Sequence, residues 1–176
     1  MIQQLRRRFN RIAIGSLCAV VLVLLVATSE TLPGREDLIA RLQAGVPGFA
    51  GLHVSENKMH NNVILGKTSR KLYGENFITE TLLGLTFEIS PLSFFQVNPA
   101  QTERLYERAL AFAALRPQDT AVDAYAGAGT LSLCMARRCK RVIGLEIVPQ
   151  AVESARRNAE RNGVANAEFH VAAVES

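Results

Sequence analysis

Apolar positions along this chain alternate between short unbroken runs and stripes spaced three or four residues apart, and the switches between the two rhythms predict its elements. Val20-Val-Leu-Val-Leu-Leu-Val26 is a continuous run rich in β-branched residues, the pattern of a strand buried on both faces. Thr31-Leu-Pro33-Gly34 stops it, and Leu38, Ile39 and Leu42 then share one face of a short helix from Glu36 to Gln43. Beyond Gly45-Val-Pro47-Gly48, strands are predicted at Gly51 to Glu56 and Asn62 to Leu65, around the polar turn Asn57-Lys-Met-His-Asn61. Thr79 to Phe87, with an internal Gly84, leads into a short strand ending at Ile89. Asn98, Pro99 and Gln101 form a helix-start signal for a helix to about Leu115, with Leu105, Ala109 and Phe112 on its expected buried face.

From there strands and helices alternate strictly. Thr120 to Tyr125 is a strand, Thr130 to Arg138 a helix, Arg141 to Leu145 a strand, Pro149 to Arg161 a helix closed by Asn162-Gly163, and Ala167 to Val171 a third strand. This is the pattern of a doubly wound parallel α/β sheet. The division expected is a mixed α/β module over residues 1–90 and the parallel-sheet domain over residues 91–176.

Composition changes this picture little. A chain of 176 residues that is 48% hydrophobic has enough apolar side chains for a packed core, and a net charge of +4 permits a polyanionic partner without requiring one. Cys18, Cys134 and Cys139 lack metal-site spacing and read as reduced thiols of a cytoplasmic protein that holds no metal. Arg6, Arg7, Arg8 and Arg11 before the uncharged run Ile12 to Ser29 fit a signal sequence or a short signal anchor, against which stand the Gly15-Ser16 break and the β-branched content that follows. Arg70, Lys71, Arg137, Arg138, Lys140, Arg156, Arg157 and Arg161 either line a nucleic-acid path or serve as solvated faces, with Glu153 and Arg157 spaced to pair.

The chemistry concentrates in Asp123-Ala-Tyr-Ala-Gly-Ala-Gly-Thr130 and in Glu146, which ends the following strand. A hydrophobic strand running into a turn with Gly127 and Gly129 lets the backbone approach a ligand, and a carboxylate closing the next strand can receive two ribose hydroxyls. A sharp turn with no ligand uses the same glycines. The third glycine of a dinucleotide fingerprint is replaced by Ser132, which disfavours a nicotinamide cofactor. Asp123 is better suited to an S-adenosyl-L-methionine pocket, where an acidic group orders the loop and faces the cationic end of the ligand.

Taken with Ser93-Phe-Phe-Gln-Val-Asn98 upstream, and Asn158-Ala159 and Asn162-Gly163 downstream, this turn resembles that of the RNA uracil-5-methyltransferase family, most closely its 23S ribosomal RNA branch. The similarity extends through Asn62-Val-Ile-Leu-Gly66 and Val20 to Pro33, so the apolar run near residue 20 corresponds to a strand of the family's central domain rather than an anchor. The resemblance implies part of that central α/β domain followed by the first half of a Rossmann-like methyltransferase sheet. It implies S-adenosyl-L-methionine as cofactor, RNA as partner (ribosomal before transfer), and methylation of carbon 5 of uridine. Gln96 matches the family's cofactor-contacting glutamine, Tyr125 and Thr130 its pocket lining, and Glu146 its ribose-binding carboxylate.

Two positions depart from the family. Ala126 stands where a cysteine is usual and Ala173 where an acid reads the adenine edge. The family's nucleophilic cysteine, which attacks carbon 6 of uracil, follows an Asp-Pro-Pro loop in the second half of the fold, so Cys134 and Cys139 are not matched to it and no catalytic residue is assigned within this chain. The 176 residues alone are therefore expected to be inactive. The alternative expectation is a non-catalytic, partner-binding fragment, membrane-anchored if residues 12–29 insert.

Overall fold

A computed structural model describes residues 20–29, 31–58, 66, 68–96 and 98–174. They fall in two units, Met1–Glu75 and Asn76–Ser176. In the first, β1 (Val21–Ala27), α1 (Arg35–Gly45), β2 (Phe49–Glu56) and β3 (Arg70–Gly74) form a sheet of order β1-β2-β3. β1 pairs parallel to β2 across the α1 connection, and β2 pairs antiparallel to β3. The central strand β2 is buried continuously from Gly51 to Ser55. Its polar side chains are satisfied internally: the His53 ring lies 2.8 Å from the carbonyl of Glu75, and Ser55 Oγ donates to Thr68 O at 2.7 Å while accepting from Gly66 N at 3.0 Å.

Residues 21–27 of the long apolar run are thus a paired strand, and among the described residues no helix is long and apolar enough to cross a membrane. The expected strand Asn62 to Leu65, the basic residues before Ile12, and Cys18 lie outside the described residues. β3 adds a strand that the apolar pattern did not predict, since Arg70-Lys-Leu-Tyr73 carries only a weak alternation.

The second unit opens with the antiparallel hairpin β4 (Ile78–Leu82) and β5 (Leu85–Ile89). Gly84 is not internal to a strand: Leu83 and Gly84 both have positive φ, 50° and 72°, the geometry of a tight two-residue hairpin turn. Glu103 accepts from Leu83 N at 2.8 Å and Arg137 donates to Leu83 O at 2.8 Å, which holds that leucine in its left-handed conformation. Residues 76–90, grouped with the first module in the sequence reading, belong to the second unit because Leu82, Leu85 and Phe87 enter its core.

After α2 (Pro99–Ala113), strands β6 (Thr120–Asp123), β7 (Arg141–Glu146) and β8 (Ala167–Val171) pair in parallel, in that order, with α3 (Thr130–Ala136) and α4 (Pro149–Arg161) as crossovers. Leu133, Val142, Val152, Ala155 and Phe169 bury the helices against the sheet. α2 starts as predicted, with Asn98 Oδ1 accepting from Gln101 N at 3.2 Å. Its buried face is different, however: Thr102 and Leu110 are buried, while Leu105 is 59% and Phe112 77% exposed. The helix carries apolar residues almost all round its second half, and tertiary bonds choose between its two stripes. Tyr106 Oη shares a hydrogen with Thr130 Oγ1 at 2.8 Å and Glu103 reaches the hairpin turn, which together turn Leu105 and Phe112 outward.

Candidate functional site

The turn after β6 and the end of β7 lie side by side at the carboxyl ends of two adjacent parallel strands, where open α/β sheets place their ligands. Gly127 N–H donates to Glu146 Oε2 at 3.0 Å, and Val148 N–H donates to the other oxygen of that carboxylate at 2.9 Å. Each carboxylate oxygen has a second lone pair, so Glu146 can order the turn and still accept two hydroxyls. Asp123 is also used twice: Oδ2 accepts from Ser132 Oγ at 2.6 Å and Oδ1 from Tyr125 N at 3.4 Å. The serine in place of the third fingerprint glycine therefore ties α3 back to the strand end.

The two turn glycines have different tasks. Both are left-handed, with φ of 53° at Gly127 and 82° at Gly129. A Cβ at Gly127 meets nothing within 4 Å, so its backbone faces open space that a ligand can enter. A Cβ at Gly129 lies 3.1 Å from both Ala155 Cβ and Phe169 Cζ. Gly129 thus serves close packing of the turn against α4 and β8.

Of the remaining residues read from sequence, Thr130 opens α3 and is bonded to Tyr106, and Tyr125 is 73% exposed beside the turn. Gln96 is exposed on the coil before α2, and among the described residues no hydrogen bond links it to the turn. Ala126 is only 4% exposed, so the position where the family usually has cysteine points into the core. Cys134 is buried, and burial pushes its thiol from 9.0 up to about 11. Cys139 is buried as well, its Sγ donating to Met135 O or Arg141 O at 3.3 Å. A thiol that burial keeps protonated, as at Cys134, is the opposite of an activated nucleophile.

Several basic residues considered for a nucleic-acid path serve the fold. Arg156 donates to Phe169 O at 2.6 Å, Arg157 pairs with Glu153 at 2.7 Å, and Arg161 pairs with Glu88. Among the described residues no three His, Cys, Asp or Glu side chains gather as a metal site.

Sequence reasoning passed over Asn158 and Asn162 except as parts of a motif. Both are tertiary clamps. Asn158 is fully buried and joins Ala128 O to Glu88 N, at 3.0 and 2.7 Å, and Asn162 holds both backbone groups of Thr86.

Comparison with known proteins agrees with this architecture. Residues 115–176 match a family described as a methyltransferase domain. An uncharacterized RNA methyltransferase of Oceanobacillus iheyensis is 40% identical over 168 residues, which is 96% of this chain and 37% of that protein. One from Lactiplantibacillus plantarum is 44% identical over 149 residues, 85% of this chain and 33% of the relative. Among solved structures, the Pyrococcus abyssi tRNA (uracil-54, C5)-methyltransferase in complex with S-adenosyl-L-homocysteine superposes with a TM-score of 0.68 at 30% identity, over 88% of this chain and 36% of that one. The chain therefore spans about a third of the length of the curated relatives it matches. It is similar across most of its length to RNA methyltransferases, and its parallel β6-β7-β8 sheet is a Rossmann-like methyltransferase portion.

Proposed function

We propose that residues 91–176 bind S-adenosyl-L-methionine for methylation of carbon 5 of uridine in RNA, with 23S ribosomal RNA the preferred class. The observation that carries this reading is the Gly127–Glu146 hydrogen bond beside an open backbone face. The carboxylate that orders the turn keeps two lone pairs for the ribose hydroxyls, and Gly127 admits the ligand to the backbone. Asp123, set by Ser132, contributes negative charge at the strand end toward the cationic portion of the cofactor. Tyr125 and Thr130 line the approach, and Gln96 supplies an amide that can both donate to and accept from the zwitterionic methionine end. The bound cofactor supplies a methyl group on a sulfonium, electrophilic toward a carbon nucleophile.

These side chains bind and orient; none is a nucleophile. In the reaction that the resemblance implies, a cysteine thiolate adds to carbon 6 of uracil, carbon 5 takes the methyl and loses its proton, and the cysteine departs. Burial of Cys134 and Cys139 keeps both from that role. The chain is expected to bind cofactor without Cys134 or Cys139 acting as nucleophile, and formation of 5-methyluridine that is lost in Cys134→Ala or Cys139→Ala would overturn the exclusion of these two buried cysteines. Calorimetry with S-adenosyl-L-homocysteine and NAD tests the cofactor. Binding of the former is expected, and Glu146→Ala should weaken it about tenfold or more by removing charged acceptors. Tighter binding of NAD would sink the assignment.

A further inference from the structure

Helix α4 meets the outer edge of β5 in an unusual way. Asn162 Oδ1 accepts from Thr86 N at 2.8 Å while its Nδ2 donates to Thr86 O at 2.7 Å, and one helical turn earlier Asn158 Oδ1 accepts from Glu88 N at 2.7 Å. Two amides four residues apart on a helix thus satisfy backbone groups two residues apart on a strand. The helical pitch of about 5.4 Å and the two-residue strand rise of about 6.6–6.8 Å are close enough for side chains to span the difference. Arg157 and Arg161, also four apart, both pair with the Glu88 carboxylate, which completes a ladder where a neighbouring strand would otherwise lie.

Asn158 differs from the other three in what its second group does. Its Nδ2 donates to Ala128 O at 3.0 Å, in the middle of the glycine turn. Both partners are backbone groups of fixed polarity: Glu88 N–H can only donate and Ala128 C=O can only accept. The orientation of the amide is therefore determined, and a side chain of this length with one donor and one acceptor is required. Ionised aspartate has the shape but no donor, and serine has both functions but insufficient reach. Ala128 itself is 5% exposed, so no solvent replaces the bond if it is lost.

We propose that Asn158 is a positioning residue: it fixes the peptide between Ala128 and Gly129 in the conformation that presents the turn to the cofactor, and it couples that turn to the β4–β5 hairpin. The identity of the ligand rests on the function proposed above, whereas the coupling does not. Glu146 pins the turn from β7 and Asn158 pins it from α4, so the Gly127 to Gly129 backbone is held from two independent elements. Coupling is reciprocal, and occupancy of the turn must then tighten the edge of β5.

Asn158→Asp and Asn162→Asp in the 176-residue chain separate positioning from general stabilisation. Asn162→Asp removes the donor to Thr86 O and so loses a rung of the ladder between α4 and β5, whereas Asn158→Asp keeps the acceptor for Glu88 N and removes the donor to Ala128. Without ligand, amide exchange at Gly127 and Gly129 followed by NMR should quicken about tenfold or more in Asn158→Asp and change less than about threefold in Asn162→Asp. The affinity for S-adenosyl-L-homocysteine should follow the same order. Equal effects of the two variants, or unchanged turn exchange in Asn158→Asp, overturn the proposal. Should Asn158→Asp not fold, the unaltered chain decides: the Glu88 amide and the turn amides must share one opening free energy and one denaturant dependence, and independent opening refutes the coupling. A chain that binds NAD instead would sink the cofactor reading yet leave the exchange result standing.

Discussion

Replacing each turn glycine by alanine, one at a time, measures the division of labour in the turn. Both residues have positive φ, so each alanine incurs about 1–2 kcal/mol of left-handed strain. Both also gain about 0.4–1 kcal/mol from a less flexible unfolded chain, which cancels in the comparison. The difference lies in what the new methyl meets. At Gly127 it meets nothing within 4 Å, whereas at Gly129 it stands 3.1 Å from Ala155 Cβ and Phe169 Cζ, atoms of a helix and a ring that are themselves buried. Overpacking at such a site costs about 1–3 kcal/mol more. Gly129→Ala should therefore destabilise the chain by about 1–3 kcal/mol beyond Gly127→Ala, read as a lower urea midpoint at unchanged slope in far-UV circular dichroism. Ligand binding should reverse the ranking at temperatures where both variants are folded, because the Gly127 methyl projects into the open space proposed above for the cofactor. Equal destabilisation, or a larger loss at Gly127, would refute the assignment of Gly129 to packing and Gly127 to ligand approach.

Alkaline pH should weaken the fold. The Cys134 thiol is raised from 9.0 to about 11 by burial, so the folded protein holds that proton longer than the unfolded chain does. Its contribution is complete below pH 9 and is lost as pH rises toward 11, and Tyr106, raised chiefly by burial, acts in the same direction. Urea midpoints across this range should fall, less steeply in Cys134→Ala; a flat profile would show the thiol to be solvated. Glu88→Gln removes the carboxylate shared by Arg157 and Arg161, and because both arginines are more than a third exposed the cost is about 1–2 kcal/mol, below the 3–5 of a fully buried pair. Thermal unfolding of the variant checks it, and no change would mean the pairs are fully screened. Finally, β6 pairs only with β7 among the described residues, and Val122, Tyr125 and Ile147 are 58%, 73% and 67% exposed nearby, so the isolated chain should self-associate. Light scattering should report masses above the monomer that fall in Val122→Lys, and a stable monomer would contradict this reading.

What was legible in the sequence was local chemistry. The bounds of α4 and β8 coincide with those read from Pro149, Asn162-Gly163 and the short apolar run Ala167 to Val171, because stop signals act within a few residues. The hairpin turn was not read correctly, since Leu83 shares the left-handed geometry with Gly84 and only contacts with Glu103 and Arg137 make that tolerable. The outward placement of Leu105 and Phe112 was missed for a related reason. Periodicity reports that a helix has an apolar stripe but cannot choose between two stripes, and on α2 the choice is made by Tyr106 and Glu103 reaching partners elsewhere in the unit.

The site divides along the same line. Asp123, Gly127, Gly129 and Glu146 could be placed from sequence because each occupies a strand end or the turn that follows it, and the parallel register of β6 and β7 then brings the turn to the carboxylate. Asn158 carried no such signal. Its two partners lie 30 and 70 residues away along the chain, and a buried amide on a helix gives no periodic cue to distinguish a clamp from a solvated asparagine. Yet the clamp determines what the turn can do. A glycine turn left to itself would have to be ordered at the expense of binding energy when a ligand arrives; one already held by Glu146, Asp123 and Asn158 incurs little of that cost. The residues most visible in the sequence therefore define the surface offered to a ligand, while the affinity of that surface depends on a side chain whose role becomes apparent only when the hairpin, the helix and the turn are packed together.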